Sequence, residues 1–149
     1  MGSIDFNYLY TSLDGRIGRQ SYWIGIVGFI VIAIVAVLII GAIAGIASTF
    51  GLVLALVVEL ALVYPAYCLM GKRFQDRGKP ATYALIGIGL SILIALLDVM
   101  GITQDALGRP TAIGWVFNIA QLIVGLWFLI ELGFLRGTVG PNEYGPDPV

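Results

Sequence analysis

Between Ile24 and Met70 the chain runs for 47 residues with a single charged side chain, Glu59. A helix rises about 1.5 Å per residue, and about 20 apolar residues cross a bilayer core. The run is therefore about two spans long. Water is a poor solvent for such a stretch, and in hydrocarbon only a helix or a closed barrel satisfies its own backbone. The fold class expected is all-α and integral to a membrane, and little of the chain is left to lie outside it.

The remaining residues agree. Only 11% of the 149 residues are charged and 59% are hydrophobic, against roughly a quarter charged in a soluble domain. A third apolar stretch covers residues 83–100 and a fourth 112–135, so the reading is a four-transmembrane-helix bundle with spans at 22–47, 50–70, 83–100 and 112–135. Ser48-Thr49-Phe50-Gly51 is the one turn signal between the first two, which makes them antiparallel neighbours. Pro65 leaves the carbonyl of Ala61 without a donor and predicts a kink. Gly41 and Gly45 form a GxxxG, a spacing that admits a close helix neighbour. Gly87, Ser91 and Ala95 line one face of the third span, and Gly114, Asn118, Gln121 and Gly125 one face of the fourth.

Outside the spans the chain is short. Residues 1–21 read as an interfacial arm, in which Phe6, Leu9, Tyr10 and Leu13 share one helical face. Ser3 or Asp5 can cap this short amphipathic helix and Gly15 can end it. Arg16, Arg19, Tyr22 and Trp23 then mark the bilayer boundary. Residues 71–82 read as a basic loop with Lys72, Arg73, Arg77 and Lys79, and 101–111 as an outer loop. The tail 136–149, rich in Gly and Pro, is non-helical. With four spans the arm, the basic loop and the tail share one side. They carry Arg16, Arg19, Lys72, Arg73, Arg77, Lys79 and Arg136; the other side carries only Arg109. By the positive-inside rule both termini are cytoplasmic. The first apolar run is far longer than a signal-peptide core of roughly 7–15 residues, so no cleavable leader is expected. Met1-Gly2-Ser3 lacks the Ser or Thr of a myristoylation start, since position 6 is Phe6.

Three segments on the positive side resemble a known family. They are Gly15-Arg16-x-x-Arg19-x-x-Tyr22-Trp23, Lys72-Arg73-Phe74-x-Asp76-Arg77-Gly78 and Gly137-Thr138-Val139-Gly140-x-Asn142-x-Tyr144-Gly145-Pro146-x-Pro148. Together, in this order, they are similar to the small bacterial inner-membrane proteins of domain-of-unknown-function family 805. The resemblance implies four transmembrane helices in a bacterial inner membrane and no particular chemistry. The chain departs from the family in two places: Gln75 stands where histidine is frequent, and Pro80-Ala81-Thr82-Tyr83 where Gly-Trp is frequent.

Candidate sites follow from charge and polarity in the wrong solvent. Glu59 lies near the midplane, where a charge costs at least about 2.5–3.5 kcal/mol. A neutral carboxyl bonded to an amide is cheaper, and Gln121, with Asn118 one turn further out, lies at similar depth. This is either a structural hydrogen bond between spans 2 and 4, or a proton or cation site, or a contact to another subunit. Glu131 is expected in an interfacial ion pair with Arg16, Arg19, Lys72 or Arg136. Asp76, the single acid of the basic collar, is expected to pair with Arg16, Arg19 or Arg73, with Asn142 and Tyr144 docking the tail over it. Arg16, Arg19, Lys72, Arg73 and Arg77 are also candidates for anionic phospholipid headgroups, at about 1 kcal/mol per cation.

The function classes narrow accordingly. No histidine is present and Cys68 is the single cysteine, so no catalytic residue set, metal site or cofactor is expected. Cations held at headgroup level leave no nucleic-acid surface. The leading expectation is a non-enzymatic scaffold, assembly factor or accessory subunit, in a homo-oligomer or a larger membrane complex. The alternative is proton or small-cation conductance through an oligomer using Glu59. A lipid-modifying enzyme using Glu59, Glu131 or Asp76 as acid or base ranks third.

Overall fold

The computed structural model describes residues 5–45 and 48–148. Among these it holds helices and turns with two isolated β-bridges, Gln104 to Pro110 and Asn142 to Gly145. A short α1 (Phe6–Thr11) precedes α2 (Arg19–Ala44) and α3 (Thr49–Asp76). A 3-10 turn (Ala81–Tyr83) opens α4 (Ala84–Val99). After the outer loop, α5 (Ala112–Phe128) runs into a π-helical turn, Leu129–Phe134. Four of these segments are long and apolar enough to cross a membrane: Arg19–Ala44, Thr49–Asp76, Ala81–Val99 and Ala112–Phe134. The protein is a four-helix, multi-pass membrane protein whose apolar helices face lipid.

Helix ends follow local chemistry. The Asp5 carboxylate caps α1 by accepting from the Tyr8 amide at 3.1 Å. Ser3, the other candidate cap, lies outside the described residues. Ser48 caps α3 and Thr111 caps α5, each accepting from the amide three residues on. The arm differs from its reading in one respect: α1 stops at Thr11, before Gly15. The GxxxG of the first span is only half helical. α2 ends at Ala44, and Gly45 turns the chain away at φ +78. Pro65 sits inside an unbroken α3.

The largest departure is at residues 71–82. Helix α3 continues through the basic stretch as far as Asp76, and only Arg77 and Gly78 turn out of it. Leu69, Lys72, Arg73 and Asp76 stand at i, i+3, i+4 and i+7, a continuous inward stripe in which the cations take core positions.

Packing is uneven along the bundle. Helix α3 lies against both α2 and α4, and α5 lies against α4. Among the described elements α5 itself makes no close approach to α3; only its π-helical end returns to α2 and α3. The core therefore sits at one end, where Leu9, Leu69, Phe74 and Leu132 are buried together. Phe74 is ringed there by Tyr83, Trp127 and Phe128 at centroid distances of 5.3–5.9 Å. Away from that end, large apolar side chains such as Leu38 and Ile43 point outward.

The outer loop is tied down independently. The Asp105 carboxylate accepts from the Leu107 and Arg109 amides and pairs with the Arg109 guanidinium at 2.8 Å. These bonds, the Arg109 amide first, hold its carboxyl below the usual aspartate range. Gly114 passes so close beneath this loop that a Cβ would lie inside contact distance of the Thr103 carbonyl. That carbonyl is fixed by the Thr111 amide at 2.9 Å and has no room to move. Gly114→Val is expected to cost about 1–3 kcal/mol, read as a lower unfolding midpoint in detergent and new protease cleavage within 101–111. Unchanged resistance would show that the loop is not seated on α5.

Candidate functional site

Two places bring the singled-out residues together: a polar knot at the packed end, and a crevice between the helices.

The knot is built around Asp76, at the last turn of α3. Its Oδ1 accepts from Arg16 Nε at 3.0 Å and its Oδ2 from Arg73 Nη1. Both arginine side chains are fully buried. Arg19, the third candidate partner, bonds elsewhere, to the Phe134 carbonyl at 3.3 Å. The other donors of Arg16 reach the tail carbonyls of Thr138 at 2.6 Å, Gly140 at 2.7 Å and Gly145 at 3.2 Å. Arg73 donates to the carbonyls of Leu132 at 2.7 Å and Leu135 at 2.6 Å. Two charges of one sign around one carboxylate are tolerable in a buried site because each remaining guanidinium nitrogen also meets a carbonyl dipole.

The tail completes this arrangement. Gly137 crosses directly over the Asp76 carboxylate, at a distance where any Cβ would overlap its oxygens. Thr138 then bonds the Asp76 carbonyl through both its amide, at 2.8 Å, and its hydroxyl, at 3.1 Å. Asn142 donates to the Gln75 carbonyl and the Thr138 hydroxyl. Tyr144 does not share this docking role. Its amide bonds Asn142 and its hydroxyl turns to Glu143, which, with burial, raises its pKa. The Gln75 amide, oriented by its acceptors, donates to Leu13 at 2.9 Å and Gly15 at 2.8 Å, so the position holds the arm.

The collar cations act mainly as helix caps. A helix ends with four carbonyls that lack intrahelical donors, at the negative end of its dipole. The π-helical end of the fourth span has these met by Arg73 on Leu132, by Trp23 Nε1 on Gly133 at 3.2 Å and by Arg19 on Phe134, while Arg77 bonds the Arg136 carbonyl just beyond the helix. Lys72, fully buried, does the same for α1. Its ammonium bonds the carbonyls of Tyr8 and Leu9 and lies 4.1 Å from the centre of the Tyr8 ring. Glu131 is buried and pairs with Lys79 at 2.8 Å and Arg77 at 3.1 Å. None of its four expected partners is among these. The chain turns at Gly78 and brings Lys79 back over the last turn of the fourth span, which loop geometry alone decides. Of the seven collar cations, Arg19 and Arg136 remain on the surface. They border a cavity of about 100 Å³ with Arg73, Asp76 and Asp147.

The crevice lies where α5 stands away from α3. It holds about 210 Å³ and is lined by Glu59 and Ala66 of α3, Ser91 of α4, and Gln121, Val124 and Phe128 of α5, among others. Glu59 and Gln121 thus share one space, yet they are not bonded to each other. The Gln121 Oε1 atom is buried with no hydrogen-bond partner. Among the described residues Glu59 has no hydrogen-bond or ion partner either. Asn118 does not join them. It points outward from α5, exposed and unpaired. The expected polar stripe of the fourth span is therefore split: Gly114 lies under the outer loop, Gln121 faces the crevice and Asn118 faces lipid. The described residues contain no cluster of three or more metal-ligating side chains of the His, Cys, Asp and Glu type.

All three motif segments converge on the knot, which ties residues 16, 73, 76 and 137–145 into one unit. The family model described as "Protein of unknown function (DUF805)" matches residues 10–146, the whole of that unit and all four spans. The chain belongs to the DUF805 family. It is also similar to "Uncharacterized protein YiiR" of Escherichia coli strain K12 and to its counterpart in strain O157:H7. Each is 30% identical over 140 residues, covering 91% of this chain and 85% of the relative. No solved structure matches it. Within the DUF805 segment, Trp23, Thr138 and Gly137 are knot residues that sequence reasoning gave no bonding role. The signal was available only in the tail motif, whose Gly-Thr start suits a backbone that must pass close to a buried group.

Proposed function

We propose that this DUF805 protein is a non-enzymatic subunit of the bacterial inner membrane, a scaffold, assembly or accessory component that receives another transmembrane helix. The observation that carries this reading is the crevice, where the Glu59 carboxyl and the Gln121 amide oxygen, at mid-membrane depth, have no hydrogen-bond partner among the described residues. Polar groups in hydrocarbon are costly until they are hydrogen-bonded, and a neighbouring helix is the usual source of that bond. The rigid collar supports the reading from the other side: it holds four helices at one end while leaving their outer halves open. Seven of the eight Lys and Arg residues on that end favour cytoplasmic termini. Headgroup contact with anionic phospholipid falls to Arg19 and Arg136, the two surface cations of the collar.

A photo-crosslinking side chain at Val124, inside the crevice, tests this in intact membranes. A discrete protein adduct is expected; adducts with lipid alone would overturn the docking reading. The second reading is proton or small-cation conductance, favoured by Glu59 itself. Flux into liposomes should then fall for Glu59→Gln, and equal flux in both proteins, or none, defeats it.

A further inference from the structure

The crevice and the outward amide are two halves of one contact. We propose that the helix received at the crevice belongs to a second copy of this chain, and that Asn118 of each copy donates to Gln121 of the other. This deepens the docking reading above and depends on it. Gln121 presents a buried carbonyl oxygen with no donor. Asn118 presents an amide with two hydrogens to hydrocarbon, with no acceptor among the described residues. Each is a defect by itself, and each supplies what the other lacks.

Depth allows the pairing. Asn118 and Gln121 are three residues apart on α5, about 4.5 Å along its axis. A two-fold axis along the membrane normal keeps every residue at the same depth in both copies. The two donor–acceptor pairs then lie within side-chain reach, and the contact is self-complementary. A lipid chain is the competing occupant. It fills apolar volume but brings no hydrogen-bond donor to mid-membrane depth, so it leaves Gln121 unsatisfied. The volume of about 210 Å³ suits one or two inserted side chains, as a facing helix provides. Glu59, on the opposite wall, is then covered by the incoming helix.

The test mixes two single-cysteine proteins, Asn118→Cys and Gln121→Cys, each carrying Cys68→Ala, in bacterial membranes under mild oxidation. A disulfide-linked heterodimer is expected, and a Val35→Cys control on the lipid face of α2 should not link. In liposomes, Asn118→Leu should lower the dimerisation constant on the order of tenfold, and Asn118→Gln should largely restore it. Asn118 is exposed and makes no hydrogen bond among the described residues, so in detergent, with the protein dilute enough to stay monomeric, Asn118→Leu should keep the wild-type unfolding midpoint. A monomer at all protein-to-lipid ratios, or linking through α2 instead, overturns the proposal. Should the probe at Val124 capture a different protein while the chain stays monomeric, this inference fails and the docking reading survives. Lipid adducts alone remove both.

Discussion

Asp76→Ala is expected to destabilise the protein by about 3–5 kcal/mol, the range for removing one partner of a buried charge cluster. The carboxylate is the counter-charge that bridges the fully buried guanidiniums of Arg16 and Arg73. Without it two like charges, both fully buried, face each other across the vacated space. Neither arginine can withdraw, because each also holds carbonyls on another segment. Arg16 holds the tail at Thr138, Gly140 and Gly145, and Arg73 holds the end of the fourth span at Leu132 and Leu135. The loss should therefore appear in three places at once: a lowered unfolding midpoint in mixed micelles, protease cleavage within 137–148, and faster amide exchange through 129–136. Asp76→Asn keeps the volume and one acceptor but no charge, and should fall between wild type and alanine. If Asp76→Ala unfolds at the wild-type midpoint with a protected tail, the knot does not hold the collar together.

Lys72→Met is the second large effect, and it should be local. α1 is only six residues long, too short to stand as a helix by itself. Three tethers keep it in place. Lys72 caps its end through the Tyr8 and Leu9 carbonyls, Tyr10 donates to the Gly25 carbonyl at 2.9 Å, and Tyr64 donates to the Thr11 carbonyl at 3.0 Å. The lysine tether is the charged one, and its hydrogen bonds are the strong kind. Methionine fills the same volume without a donor, so the packing of Leu9 is preserved while the cap is lost. The expected cost is about 3 kcal/mol in arm docking. Residues 5–14 should exchange amide hydrogens faster and become cleavable, while the 137–148 tail stays protected. Exchange that is unchanged across 6–11 would show that the tyrosine hydroxyls and Leu9 suffice.

These two substitutions show why the collar was only partly legible beforehand. The charge bias along the sequence marks which side the cations occupy, and it does so because moving any of them through hydrocarbon is costly. It does not say what each cation bonds. Reading 71–82 as a solvated loop is the natural outcome of counting charges. The structure instead continues α3 to Asp76, because the end of the fourth span and the short α1 both present carbonyls that need donors. Lys72 and Arg73 are the nearest donors on the inward face, and their burial follows from that need. Asp76 was narrowed to three arginines by charge alone; choosing between them needed the fold, since Arg16 is 60 residues away. Glu131 was given four partners, and its two actual ones arrive by the turn at Gly78, which no charge count anticipates.

The membrane half divides the same way. Glu59 and Gln121 were placed at one depth by counting residues from helix ends, and they do share a crevice. Asn118 was grouped with them because it lies on the same arc of the fourth span. Because α5 packs on α4 and not on α3, Asn118 is left exposed, and no helical periodicity contains that information.

What the sequence determined by itself was the solvent and the number of crossings. Apolar length and sparse charge are local quantities, and the bilayer reads them span by span. What only the tertiary structure decided was pairing: which cation caps which carbonyl, which carboxylate joins which arginine, and which amides are left without a partner. Those are contacts between segments tens of residues apart. They depend on where four helices converge and where they stand open, and that is fixed by how the side chains pack together.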